Sequence, residues 1–133
     1  MVDVHKPSGA DDSEHAALDA YSRIVSDVAA SLLPSVLSVR IESPQRGAGS
    51  AVAFTPDGFL LTSAHVVERA TGGTAMFSDG ADASFDVIGA DPLSDLAVLR
   101  TRGGVVEPAA LGDADELRIG QLVVAVGNPM GLA

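Results

Sequence analysis

Cysteine is absent from the chain. Its absence excludes disulfides, thiolate catalysis and cysteine-based metal sites, and leaves the compartment open, because many envelope proteins also lack it. Tryptophan is absent too, and only four Phe and one Tyr are present. The core must therefore rest on Val, Leu, Ile and Ala. Basic residues are scarce: 8 Lys and Arg stand against 18 Asp and Glu, for a net charge of −10. Phosphate binding needs clustered cations, so nucleic acid is not an expected partner. The acidic excess is read as a solubility feature. No apolar run reaches the roughly 18 residues that span a bilayer. The segment Met1–Pro7 lacks the basic-then-apolar pattern of a signal peptide. The sequence thus reads as intracellular or as an excised piece of a longer precursor.

The 133 residues suit one domain with a modest core. Residues 1–12 are polar and read as a mobile tail. From Ser13 to Leu33 the apolar residues Leu18, Tyr21, Val25, Val28 and Leu32 recur at steps of three and four. This predicts an amphipathic helix over 13–33. Asp12 or Ser13 can cap it, Glu14 suits its positive end, and Pro34 stops it. The helix either packs on its own domain or serves as an oligomerisation or docking element.

Beyond Pro34 the chain reads as short strands between turns. Strands are expected at 36–41 (ended by Ser43-Pro44), 51–54, 59–62, 74–78, 83–89, 96–100 and 122–126. Thr55-Pro56-Asp57-Gly58 and Ser78-Asp79-Gly80 are hairpin turn signals. About seven strands and one helix imply an all-β fold, a small antiparallel barrel or sandwich.

His65 is the only histidine beyond His5 and His15. It is either a structural histidine satisfied by a carbonyl or a catalytic base. A base needs a carboxylate partner to fix its tautomer and stabilise its imidazolium. Asp82, Asp86, Asp91 and Asp95 are candidates. Asp95 stands out at the mouth of the apolar stretch Leu96–Leu99, where partial desolvation would demand a partner. The competing reading of such an Asp is a local turn cap. Gly47-Ala48-Gly49 lacks the lysine and helix of a phosphate cradle and reads as entry to a strand. With no HExxH pattern and no histidine pair, neither a metal nor a cofactor is expected. No Gly-x-Ser-x-Gly occurs. Ser63 lies two residues from His65 without an oxyanion hole, and Ser50 reads as strand.

Three segments together resemble the HtrA (Deg) family of trypsin-like serine proteases. They are Thr62-Ser63-Ala64-His65-Val66-Val67, Ser94-Asp95-Leu96-Ala97-Val98-Leu99 and Val124-Ala125-Val126-Gly127-Asn128-Pro129-Met130-Gly131-Leu132. The stretches 47–54, 56–58 and 109–120 stand in the matching order. The resemblance covers residues 35–133, and the helix resembles the family's lead-in. It implies a six-stranded antiparallel β-barrel, the first of two in the protease domain, preceded by one α-helix. It also implies that His65 is the general base and Asp95 its orienting acid. Met130 stands where an aromatic is common and Ala51 where glycine is common, departures that bear on packing.

The family's second barrel carries the nucleophilic serine, the oxyanion hole and the specificity pocket, none of which is expected within these residues. The resemblance therefore implies endoproteolysis of unfolded or exposed polypeptide by the parent protein, in protein quality control and in the cell envelope. This chain alone is expected to be inactive. Two other readings stand beside it. One is a peptide-binding or oligomerisation module, with a homo-oligomer such as a trimer formed through the N-terminal segment. The other is a half that complements a separate second barrel.

Overall fold

A computed structural model of the chain describes residues 9–41 and 46–131. The expected tail through residue 8, the Ser43-Pro44 stop and Leu132 lie outside the described residues. The chain divides into two compact units between Ser31 and Leu32.

The first unit is a helix, α1, Gly9–Leu32. It begins four residues ahead of the expected Ser13, so that Asp11 and Asp12 sit in its first turn. Carboxylates there oppose the positive end of the helix dipole. The apolar stripe leaves Leu18, Tyr21 and Ile24 exposed. The α-helix stops at Leu32, and a short 3₁₀ turn, Leu33–Ser35, accommodates Pro34 at its start, where a missing N–H costs nothing.

The second unit is a closed antiparallel barrel of six strands. They are β1 Val36–Ile41, β2 Gly47–Ala53, β3 Phe59–Thr62, β4 Gly72–Met76, β5 Asp82–Asp91 and β6 Leu96–Thr101. Their order around the barrel is β1-β2-β3-β6-β5-β4, with β4 pairing back onto β1. Inward side chains alternate with outward ones, as period-2 strands require, although β1 is buried on both faces over Val36–Val39. In β6, for example, Ala97, Leu99 and Thr101 are buried while Leu96 and Arg100 are exposed. Leu96–Leu99, apolar throughout, is therefore a strand with one buried face.

The interior is filled mainly by aliphatic and small residues, among them Leu37, Val39, Ala53, Leu60, Ala75, Ala97 and Leu99. Phe85 is the largest fully buried side chain. Ala51, the residue in place of a common glycine, is accommodated within this core. The hairpin turns fall where the turn residues stand. Gly58 adopts φ +94° after Thr55-Pro56-Asp57, and its amide donates to the Thr55 carbonyl at 3.4 Å. Around Ser78-Asp79-Gly80 the Phe77 amide donates to the Ala81 carbonyl at 2.8 Å.

One expected strand is not formed. Leu122–Val126 makes no ladder, although Val124 and Val126 are half-buried between exposed neighbours. A strand needs an unpaired edge to join, and the closed barrel offers none. The segment instead runs over the barrel surface to a turn at Asn128. There the Asn128 amide donates to Ser50 Oγ at 2.7 Å, and the Gly131 amide returns to the Asn128 carbonyl at 3.2 Å. Met130 is exposed beside it.

Candidate active site

Antiparallel pairing of β3 with β6 sets the site. Thr62, the last residue of β3, pairs with Ala97, the second residue of β6. The chain leaving β3 and the chain entering β6 therefore meet at the same rim of the barrel. Residues 65 and 95, 30 positions apart in sequence, become neighbours.

His65 lies on a single 3₁₀ turn, Ala64–Val67, rather than on the end of a strand. Ser63 leads into the turn in an extended conformation, and its carbonyl accepts from the Val66 amide at 3.1 Å. Ala64 and Val67 point into the core and anchor the turn. Below it, β2 comes unusually close. A methyl group on Gly49 would lie 2.7 Å from Val66 Cγ2, and one on Gly47 would lie 2.8 Å from the Val66 carbonyl oxygen. Gly47 and Gly49 let the histidine-bearing turn press onto β2. This is a packing reason for glycine that the sequence pattern did not reveal.

Asp95 holds this turn by three bonds. Its carbonyl accepts from the Ala64 amide at 3.1 Å, and its Oδ1 accepts from the His65 amide at 3.0 Å. Its Oδ2 lies 2.8 Å and its Oδ1 3.0 Å from His65 Nδ1, so both oxygens share the ring donor. An ionised carboxylate can only accept, so the Nδ1 proton faces Asp95 and the Nε2 lone pair of the neutral ring is left free to accept. The two His65 donors, the amide first and the ring second, hold the Asp95 carboxyl below the usual carboxylate range. The backbone of Asp95 is left-handed, at φ +56°.

The pair is open to solvent, with side-chain exposures of 71% for His65 and 49% for Asp95. The desolvation expected of Asp95 is thus not produced by this barrel, whose rim faces water on that side. A cavity of about 320 Å³ adjoins the pair, lined by Ala64, Val67, Ala70, Val87 and Pro92 among others, and no serine lines it.

The other candidate acids go elsewhere. Asp86 is bound by the Arg102 guanidinium, which lowers its pKa. Asp91 caps the turn before Asp95 through the Leu93 amide and the Ser94 hydroxyl. Asp82 is exposed at the start of β5, opposite Met76. Neither candidate serine is brought to His65 as a nucleophile. Ser63 lies on the entry to the turn, and Ser50 sits on β2, where its carbonyl accepts from Thr62 Oγ1 at 2.7 Å.

The model of the trypsin-like peptidase domain matches residues 49–133. The serine protease PepD of Mycobacterium tuberculosis is 40% identical over 119 residues, covering 81% of this chain and 26% of that protein. A probable periplasmic serine endoprotease, DegP-like, of Halomonas elongata is 38% identical over 88 residues, covering 66% of this chain and 19% of that protein. The serine protease Do-like HtrA of Bacillus subtilis is 36% identical over 105 residues, covering 76% of this chain and 23% of that protein. The chain thus spans about a quarter or less of the length of these relatives. By the matched domain, the relatives and the barrel topology, this chain belongs to the HtrA family of trypsin-like serine proteases and corresponds to the N-terminal part of their protease domain.

Proposed function

We propose that this barrel is the first of a two-barrel serine endopeptidase, with α1 as its lead-in, and that it supplies the base and the orienting acid. The observation that carries this reading is the contact of His65 Nδ1 with the Asp95 carboxylate. In this role Nε2 takes the proton of an attacking serine hydroxyl and later returns it to the leaving amine. Asp95 fixes the tautomer and stabilises the imidazolium that forms between the two steps. Neither Ser63 nor Ser50 takes the nucleophile's place in this scheme. The nucleophile and the oxyanion donors belong to the second barrel, and these residues alone do not turn over substrate.

The substrate class is unfolded or exposed polypeptide, and the setting is the cell envelope. Support for the setting is that the Halomonas relative is named periplasmic. Among the described residues, no helix is long and apolar enough to cross a membrane. The exposed Leu111, Leu117, Ile119 and Val123 favour a surface covered by the remainder of the protease domain. The exposed Leu18, Tyr21 and Ile24 favour a homo-oligomer formed through the helix.

The test is cleavage of an unfolded protein by the complete protease and by this chain. The complete protease should cleave, and His65→Ala should abolish cleavage. This chain should not. Turnover by this chain that disappears with His65→Ala would refute its inactivity, and a complete protease indifferent to His65→Ala would refute the assignment of the base. Gel filtration reports the oligomer, with a discrete trimer supporting the helix-led assembly and a monomer refuting it.

A further inference from the structure

The left-handed backbone of Asp95 needs a cause. Among the described residues only Asp95 and Arg69 combine a side chain with positive φ. That conformation is disfavoured for residues bearing a Cβ, although Asp tolerates it better than most. Packing does not hold it there. Every residue from Asp91 to Leu96 is exposed, and Leu93 at the tip is 98% exposed. The β5–β6 ladder closes at the pair Asp91↔Leu96, so it fixes the two ends of the turn and pairs none of residues 92–95 within it.

Within the turn itself, what remains is the side chain of Asp91. Its Oδ1 accepts from the Leu93 amide at 3.0 Å, and its Oδ2 accepts from the Ser94 hydroxyl at 2.8 Å. Both carboxylate oxygens are thus spent inside the turn that ends at Asp95.

We propose that Asp91 is a positioning residue for the His65–Asp95 pair: it clamps the Pro92–Asp95 turn so that Asp95 is held left-handed with its carboxylate aimed at His65. The proposal rests on the reading of that pair as acid and base. Asp91 bonds to Leu93 and Ser94, so it acts only through Asp95. The Ser94 hydroxyl first, and the Leu93 amide second, keep its carboxyl below the usual range, so the ionised acceptor persists at neutral pH. The hairpin turn between β4 and β5 supplies a control. There Asp79 Oδ1 accepts from the Ala81 amide at 2.9 Å in the same kind of side-chain turn, at the opposite end of β5 from Asp91.

The readout is the pair of ring ¹⁵N chemical shifts of His65 in the full chain, recorded in mildly alkaline solution where imidazole is neutral. These shifts report which nitrogen carries the proton. The wild type should show the Nδ1–H form. Asp91→Ala should lose that preference, moving both shifts toward the tautomer mixture of a free histidine. Asp91→Asn keeps an acceptor for the Leu93 amide and should retain most of it. Ser94→Ala removes one of the two bonds and should fall between. Asp79→Ala should leave the shifts unchanged whatever it does to melting temperature.

Shifts in Asp91→Ala identical to wild type would overturn the proposal, and so would Asp79→Ala moving them equally. If Asp91→Ala does not fold, Ser94→Ala decides, and unchanged shifts there overturn it. A wild type lacking the Nδ1–H form overturns it as well. Failure of the catalytic reading is a separate result: proteolysis by the complete protease surviving His65→Ala would remove the catalytic role while the tautomer shifts still report the clamp.

Discussion

Asp95 grips the same histidine at two points: its Oδ1 takes the His65 main-chain amide at 3.0 Å, and the ring Nδ1 lies 2.8 Å from Oδ2 and 3.0 Å from Oδ1. The main-chain bond fixes where the 3₁₀ turn sits, and the ring bond fixes which way the imidazole faces. One side chain thus couples backbone placement to tautomer.

Asp95→Asn separates those two effects. Asn tolerates left-handed backbone and its Oδ1 can still accept the His65 amide. Its amide nitrogen cannot accept from Nδ1, so the ring turns to the other tautomer. The barrel should stay folded by circular dichroism while the His65 ¹⁵N pattern inverts. In the complete protease kcat should fall by about 10⁴-fold, the effect expected when a triad histidine is held in the wrong tautomer.

Acid should loosen the barrel through its bonded carboxylates. Asp95, Asp91 and Asp86 all have folded-state pKa values lowered from 3.8 by hydrogen bonds. A lowered folded pKa adds stability that is complete above the unfolded value and is lost as pH falls through the folded one. Stability should therefore be flat above about pH 5 and decline below about pH 4 as these groups take up protons. Urea melts across that range check it. The decline should be shallower in Asp86→Asn, and an unchanged slope would remove Asp86 from the account.

Gly49→Ala should strain the histidine turn, because the new methyl would lie 2.7 Å from one Val66 methyl and 3.0 Å from the other. Overpacking of this kind costs about 1–3 kcal/mol. Val66→Ala in the same molecule removes the clash, so the double variant should recover part of the loss made by Gly49→Ala. Additive effects of the two changes would argue against contact between them.

Phe85→Ala should be among the most destabilising single changes in the barrel. Phe85 is the largest fully buried side chain in a core otherwise built mainly from aliphatic and small residues. Emptying its site should cost about 3–5 kcal/mol, read from denaturant melts. The loss should be accompanied by loosening of β4 at Gly73, which has no side chain of its own and lies against the Phe85 ring.

Much of this protein is local and could be read along the chain. Short apolar runs between turn residues placed β1, β3 and β6, the Pro-Asp-Gly and Ser-Asp-Gly turns placed two hairpins, and the residues around His65, Asp95 and Asn128 carried the family resemblance. These features depend on neighbours a few positions apart, which a sequence states directly. Tertiary structure decided the rest. Pairing of Thr62 with Ala97 brought residue 95 to residue 65, because strand register is a long-range choice. The need for glycine at 47 and 49 came from Val66, more than fifteen residues on, and the need at 72 and 73 came from the Phe85 carbonyl and from the Arg40 carbonyl with the Phe85 ring. Barrel closure withheld a partner from Leu122–Val126, whose strand-like composition had no edge to satisfy it. The left-handed turn at Asp95 was likewise invisible, since aspartate is an ordinary residue until its backbone is seen. A sequence states which side chains can do the chemistry, while pairing and packing across distant segments determine which of them meet.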